Sequence, residues 1–115
     1  MKDRLYLLKP GFFDQGAGPF FCPGCALVEG MLSFYPALRD KIEVNYIDFP
    51  RPRPSLVAEI GTENQGCPKL LLGDVMQPIP QGVTVGEARG RRFISRDVEI
   101  CIYLANAYAC GKPHV

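Results

Sequence analysis

The sequence has no excess of charge of either sign. Its 13 lysines and arginines are balanced by 12 aspartates and glutamates, which gives a formal net charge of +1 at pH 7. A balanced chain has neither the broad basic field that attracts nucleic acid nor an acidic field that concentrates cations. We therefore expect no nucleic-acid partner.

Long apolar runs are also missing. The uninterrupted apolar stretches fall far short of the roughly 18 to 20 residues that a membrane-spanning helix needs. Near the start, the apolar run 5–8 meets the break Lys9-Pro10-Gly11, so no signal-peptide core is expected. These two absences predict a cytoplasmic protein that does not span a membrane.

What the sequence does contain is enough apolar material for a folded core. Hydrophobic residues make up 47% of the 115 positions and charged residues 22%, a balance typical of globular chains rather than disordered ones. A chain of this length is long enough for one ordinary domain and too short for two. We expect residues 1–115 to form a single domain.

The pattern of apolar residues predicts an α/β fold. Short apolar runs predict strands within 5–8, 42–47, 69–72 and 92–94. Helical spacing predicts helices from Pro23 to near Pro36, from Pro54 or Ser55 to Gly61, and from Asp97 towards Ala109. Ser95 is well placed to cap the last helix. Because crossovers between parallel strands are right-handed, this order predicts a four-stranded mixed sheet with helices on both faces.

A long loop is expected between the first strand and the first helix. Residues 9–21 contain three glycines and two prolines, alternating with four phenylalanines. Loops of this length are usually functional. So many aromatic side chains either cover the sheet or form an apolar rim for a protein partner, and we expect at least two of them to be in the core.

The motif Cys22-Pro23-Gly24-Cys25 carries the clearest chemical signal. It opens a helix inside a strand-helix-strand unit, a context in which this spacing indicates redox chemistry rather than metal binding. Unpaired backbone N–H groups and the helix dipole favour a thiolate on Cys22, which is the form that attacks a disulfide. Cys25 lies one turn further on the same face and can resolve the mixed disulfide. The sequence thus predicts Cys22 as nucleophile and Cys25 as resolving thiol.

With these features the chain resembles the thioredoxin-like superfamily, in particular glutaredoxins and the amino-terminal domains of glutathione transferases. The segment Gly66-Cys67-Pro68-Lys69 is similar to the loop in which that superfamily carries a cis-proline before its third strand. The resemblance implies a thioredoxin-like fold, with Cys67 and Pro68 lining the site. It is also compatible with an uncharacterised bacterial family of this superfamily, whose membership would imply the fold but not the substrate.

The same resemblance implies a site for glutathione. Ser95, Arg96 and Asp97 match the turn that holds its γ-glutamyl end, and Lys9 resembles the glutaredoxin lysine that neutralises a glutathione carboxylate. The implied activity is thiol-disulfide exchange on glutathione mixed disulfides or protein disulfides. Glutathione then acts as a co-substrate, the partner is glutathione or a disulfide-bearing protein, and no other cofactor is required.

Two alternative functions would involve the same cysteines. One is a non-enzymatic module that keeps this fold and binds glutathione or a partner strand. The other is metal or iron–sulfur binding, for example a Cys₃His zinc tetrahedron from Cys22, Cys25, Cys110 and His114. Cys67 is open to three interpretations: a third active thiol, a cluster ligand, or a small residue that exposes its backbone.

Overall fold

The computed structural model describes residues 1–75 and 77–115. Over these residues the chain forms seven β-strands, four α-helices and one 3₁₀ turn at Thr62–Asn64. The strands are β1 (Arg4–Leu8), β2 (Phe12–Asp14), β3 (Ala17–Phe20), β4 (Glu43–Ile47), β5 (Lys69–Leu71), β6 (Gly86–Ala88) and β7 (Arg91–Ile94). The helices are α1 (Pro23–Phe34), α2 (Leu38–Lys41), α3 (Pro54–Ile60) and α4 (Asp97–Tyr108).

The main sheet is mixed, as expected, and its strand order is β4-β1-β5-β7-β6. Strand β1 runs parallel to β4 and antiparallel to β5, and β7 pairs antiparallel with both β5 and β6. The predicted number of four strands is wrong for the described residues, because β6 adds a fifth. A tight turn joins β6 to β7 through Arg89 and Gly90, whose φ angles of 53° and 74° suit a two-residue hairpin. The polar composition of residues 75–91 hides this strand from sequence reasoning.

The segment before α1 is a hairpin rather than the predicted loop. Strands β2 and β3 form a separate two-stranded sheet. Of its four phenylalanines, Phe12 packs against the core and stacks on Phe49 with ring centroids 4.3 Å apart. Phe13, Phe20 and Phe21 are exposed, so the expectation that at least two would enter the core is wrong. Short strands rich in glycine and proline lack the alternation that would have indicated pairing.

Helices cover both faces of the main sheet, as predicted. Successive side chains of a strand point to opposite faces. In β1, Leu5 and Leu7 belong to a buried cluster with α1 and α4, while Tyr6 belongs to a second cluster with Leu56 and Ile60 of α3. Helices α1 and α4 therefore pack on one face of β1, and α3 packs on the other.

Helix α1 ends close to the predicted position, and α4 begins at the predicted residue but with a different N-cap. Helix α1 ends at Phe34, slightly before Pro36, with the Tyr35 N–H donating to the Met31 carbonyl. Helix α4 begins at Asp97, but Arg96 is its N-cap and makes no side-chain capping bond. Ser95 instead accepts a hydrogen bond from Lys69. Within the described residues, no helix has the length and apolar character needed to cross a membrane.

Candidate redox site

The Cys22 sulfur caps the start of α1. Cys22 has an extended backbone with φ −79° and ψ 116°, and Pro23 takes the first helical position, where its missing N–H costs no hydrogen bond. The Cys22 Sγ accepts a hydrogen bond from the Cys25 N–H at 3.2 Å, the role that an oxygen usually plays at an N-cap. The half-buried sulfur therefore lies in the positive field of the helix start.

Cys25 lies beneath Cys22 and is almost fully buried. It is 5% exposed, and its sulfur accepts a hydrogen bond from the Leu8 N–H at 3.4 Å. Burial, followed by a hydrogen bond with the Cys22 side chain, raises the pKa of Cys25 to about 12. The two thiols are thus in contact, and the inner one holds its proton at neutral pH.

A cleft of about 290 Å³ gives access to both cysteines. Its wall is mostly apolar and includes Leu8 and Phe21. Its polar part is Glu29, one helical turn after Cys25, which accepts a hydrogen bond from the Tyr46 hydroxyl at 2.6 Å. Burial and this carboxylate raise the pKa of Tyr46. A carboxylate, which also forms an ion pair with Arg39, and a phenol therefore line the same cleft as the buried thiol.

The Cys67–Pro68 loop closes the other side of the site. Its peptide bond is cis, as the resemblance implies. A Cβ at Gly24 would lie 3.1 Å from the Pro68 ring and 3.4 Å from Asp97, so the cysteine motif packs closely against both residues at this point. The Cys22 thiol donates to the Cys67 carbonyl at 3.7 Å. The loop and the cysteine motif, distant in sequence, thus form one site.

Two buried cations that sequence reasoning missed lie close to Cys67. Arg53 and Lys69 are each 5% exposed, and both charges act on the Cys67 thiol. Lys69 donates to Ser95 Oγ at 2.9 Å, whereas Arg53 donates to carbonyl oxygens. A proline-rich segment and a strand end normally indicate solvent-exposed charges. The only hint in the sequence is that Lys69 directly precedes the apolar run of β5.

The structure brings together only some of the residues that the resemblance assigns to glutathione binding. Asp97 lies against the cysteine motif near Gly24, with its Oδ1 accepting from the Val98 N–H. Ser95 contacts this region through Lys69. Lys9 is exposed and forms a 3.1 Å ion pair with Asp48. The Arg96 side chain is 81% exposed and lies 3.7 Å from Glu99.

The described residues contain no assembled set of metal ligands. In the described part of the chain, no group of three or more histidine, cysteine, aspartate or glutamate side chains is arranged to hold a metal ion. The four zinc ligands suggested by the sequence therefore do not converge. All five cysteines, each within the described ranges, are free thiols. Cys101 is buried in the core, where burial raises its pKa to about 11.

Comparison with known proteins identifies a family but not an activity. The model of DUF3088, described as a protein of unknown function, matches residues 2–112. The chain belongs to this family. No curated protein and no solved structure matches the chain. Since the DUF3088 description specifies no reaction, the chemistry of this family member has to follow from its own site.

Cys25 is expected to resist alkylation in the native protein. With a pKa of about 12, only on the order of one part in 10⁵ of this thiol is ionised at neutral pH, and the thiolate is the reactive form. Iodoacetamide labelling followed by peptide mass spectrometry should show Cys25 reacting at least about 100-fold more slowly than Cys22. Its rate should rise steadily from neutral pH to about pH 10, without a plateau.

Unfolding the protein in urea provides the control for this labelling experiment. Without burial and the contact with Cys22, the Cys25 thiol should recover its ordinary pKa and react as fast as the other cysteines. Equal labelling of Cys22 and Cys25 in the folded protein would contradict the assignment of an inner, protonated thiol.

Proposed function

We propose that this DUF3088 protein is a thiol-disulfide oxidoreductase with a thioredoxin-like fold. The observation that carries the proposal is the cysteine pair itself: Cys22 caps a helix start, contacts the buried Cys25, and faces a cleft. Backbone N–H groups and the helix dipole stabilise negative charge on the outer sulfur, which a nucleophilic thiol needs. The adjacent Cys67–Pro68 loop supports the same interpretation.

The proposed reaction proceeds in two exchanges. The Cys22 thiolate attacks one sulfur of a substrate disulfide, forming a mixed disulfide and releasing one thiolate. Cys25 then loses its proton and attacks the Cys22 sulfur, which releases the second substrate thiol and leaves a Cys22–Cys25 disulfide. The Cys25 proton passes to solvent in the cleft and from there to the leaving thiolate. One dithiol, or two molecules of the monothiol glutathione, returns the protein to its reduced form by the reverse exchanges and is itself oxidised to a disulfide.

Substrate recognition follows from the surroundings of the cleft. By resemblance, the Cys67 backbone pairs with an extended substrate, and Ser95 and Asp97 hold the γ-glutamyl end of glutathione. Lys9 and Arg96 are exposed cations, and the weak surface ion pairs that they form with Asp48 and Glu99 leave both free to exchange onto a glutathione carboxylate. The exposed Phe21 beside Cys22 offers apolar contact to a protein disulfide.

Turnover by the reduced wild-type protein tests this proposal. The protein is incubated with a small-molecule disulfide and glutathione, and separately with insulin and a dithiol reductant, and the oxidised form is mapped by mass spectrometry. We expect catalysed reduction in at least one assay and an intramolecular disulfide that contains Cys22. Absence of both results would contradict the proposal, and saturable glutathione binding without turnover would favour the binding module.

A further inference from the structure

Cys67 has an unusual electrostatic environment. Two buried side chains, Arg53 and Lys69, place positive charge close to its sulfur, and the exposed Arg51 adds a third cation. Among the described residues, no carboxylate forms an ion pair with Arg53 or Lys69; their partners are the carbonyls of Phe49 and Gln65 and the hydroxyl of Ser95, together with two aromatic rings. Burying a cation without an anion is costly, so an anion nearby is favoured.

Burial and charge oppose each other at this thiol. Burial is the largest influence and raises the pKa of Cys67, but Arg53, Lys69 and Arg51 all act to lower it. Cys25 differs, because burial and the contact with Cys22 both raise its pKa, and only the Leu8 N–H opposes them. When a negative charge has to develop on a second sulfur, Cys67 therefore has more favourable surroundings than Cys25.

Cys67 also lies directly beside Cys22. The Cys22 thiol donates to the Cys67 carbonyl at 3.7 Å, and the carbonyl oxygen and sulfur of one cysteine are separated by only a few bonds. Both residues pack against the same buried cluster between the sheet and α1. A Cys22–Cys67 disulfide requires the two side chains to rotate until the sulfurs meet.

We propose that Cys67 is a second resolving thiol, which attacks a mixed disulfide on Cys22 and forms a Cys22–Cys67 disulfide in competition with Cys25. This inference rests on the proposed function, because it requires Cys22 to form the mixed disulfide first. The positive charges of Arg53 and Lys69 stabilise the developing Cys67 thiolate, so both act as positioning residues rather than as reacting groups.

The step balances without any further reactant. The Cys67 thiolate attacks the Cys22 sulfur of the Cys22–S–S–R adduct, the bond between Cys22 and the substrate sulfur breaks, and the substrate leaves as its thiolate RS⁻. The Cys67 proton passes to solvent and then to the leaving thiolate. Over the complete cycle, Cys22 and Cys67 are oxidised by two electrons, and the substrate disulfide is reduced to two thiols.

Ellman's reagent distinguishes the two resolving thiols. One equivalent added to the reduced protein releases one coloured thiolate when the Cys22 adduct forms and a second when an intramolecular thiol resolves it. Variants Cys25→Ser, Cys67→Ser and the double replacement are compared in a Cys110→Ser background, which removes a half-buried thiol outside the site. Peptide mapping then identifies the disulfide in each variant.

We expect Cys25→Ser still to release the second thiolate and to contain a Cys22–Cys67 disulfide. Cys67→Ser should resolve through Cys25, and the double variant should release its second thiolate at least about 100-fold more slowly. If Cys25→Ser stops at the first release while Cys67→Ser completes both, the role of Cys67 is wrong and the proposed function stands. If no protein, including the Cys110→Ser parent, releases a second thiolate, the proposed function fails as well. Alanine replacements repeat the comparison if a serine variant does not fold.

Discussion

Replacing Cys22 by serine is expected to lower the rate of disulfide reduction at least about 100-fold. Serine has no sulfur, so it cannot form the mixed disulfide that the first exchange produces and the second resolves. The loss should appear in turnover with every substrate, because it removes the attacking atom rather than a binding contact. The rate is measured with the small-molecule disulfide assay and with insulin.

The same replacement should leave the fold intact, which separates chemistry from stability. Serine is among the preferred N-cap residues, so Ser at position 22 can accept the hydrogen bond from the Cys25 N–H that Cys22 now accepts. The midpoint of urea unfolding should therefore stay close to that of the wild type. Cys110→Ser is the matched control and should retain full activity. If the Cys22→Ser variant keeps wild-type turnover, another residue attacks the substrate disulfide and Cys22 is not the nucleophile.

The largest expected loss of stability comes from replacing Arg53 by leucine. The buried guanidinium donates three hydrogen bonds to the carbonyls of Phe49 and Gln65, between 2.7 and 3.0 Å long, and the Arg53 N–H donates to the Gln65 side chain. Leucine keeps the backbone bond but leaves both carbonyl oxygens without this donor. Because each bond to a charged donor contributes about 1.5 to 3 kcal/mol and removing a buried charge recovers part of the sum, we expect a loss of about 3 kcal/mol.

Thermal and urea unfolding of Arg53→Leu measure this loss. About 3 kcal/mol corresponds to a decrease in Tm of about 12 °C or more in a domain of this size. Arg51→Leu is the matched control: it removes the same charge from the same segment at an exposed position, and its Tm should change by no more than about 2 °C. Equal effects of the two replacements would show that net charge, rather than the buried hydrogen bonds, determines the stability of this segment.

The parts of the fold that sequence reasoning predicted correctly are those with a strong local pattern. The apolar run 5–8 became β1, the run 69–72 contains β5, and the helical spacing after Cys22 became α1. The missed elements are short. Strands β2, β3 and β6 have three or four residues each, and they form because a turn brings a partner strand alongside. Nothing within three residues distinguishes such a strand from a loop.

The residues of the candidate site likewise fall into those that local sequence predicts and those that it does not. Cys22 and Cys25 are recognised from their spacing and their place at a helix start, both of which are local features. The resemblance added the Cys67–Pro68 loop, and the structure brings it to the Cys22 sulfur. Arg53 and Lys69 were missed, since a charged side chain in a sequence is normally expected to be solvated. Their burial depends on α3 and the main sheet, which lie far apart along the chain.

The sequence by itself determined which thiol begins a helix and which strands are apolar on both faces, because propensity, capping and periodicity act over a few neighbouring residues. Tertiary structure alone decided that Cys25 is buried to the point of holding its proton, and that two buried cations, which have no carboxylate ion-pair partner among the described residues, lie close to Cys67. The physical reason is that desolvation and Coulomb interactions depend on distance in space, and residues far apart in sequence contribute to them only after the chain has folded.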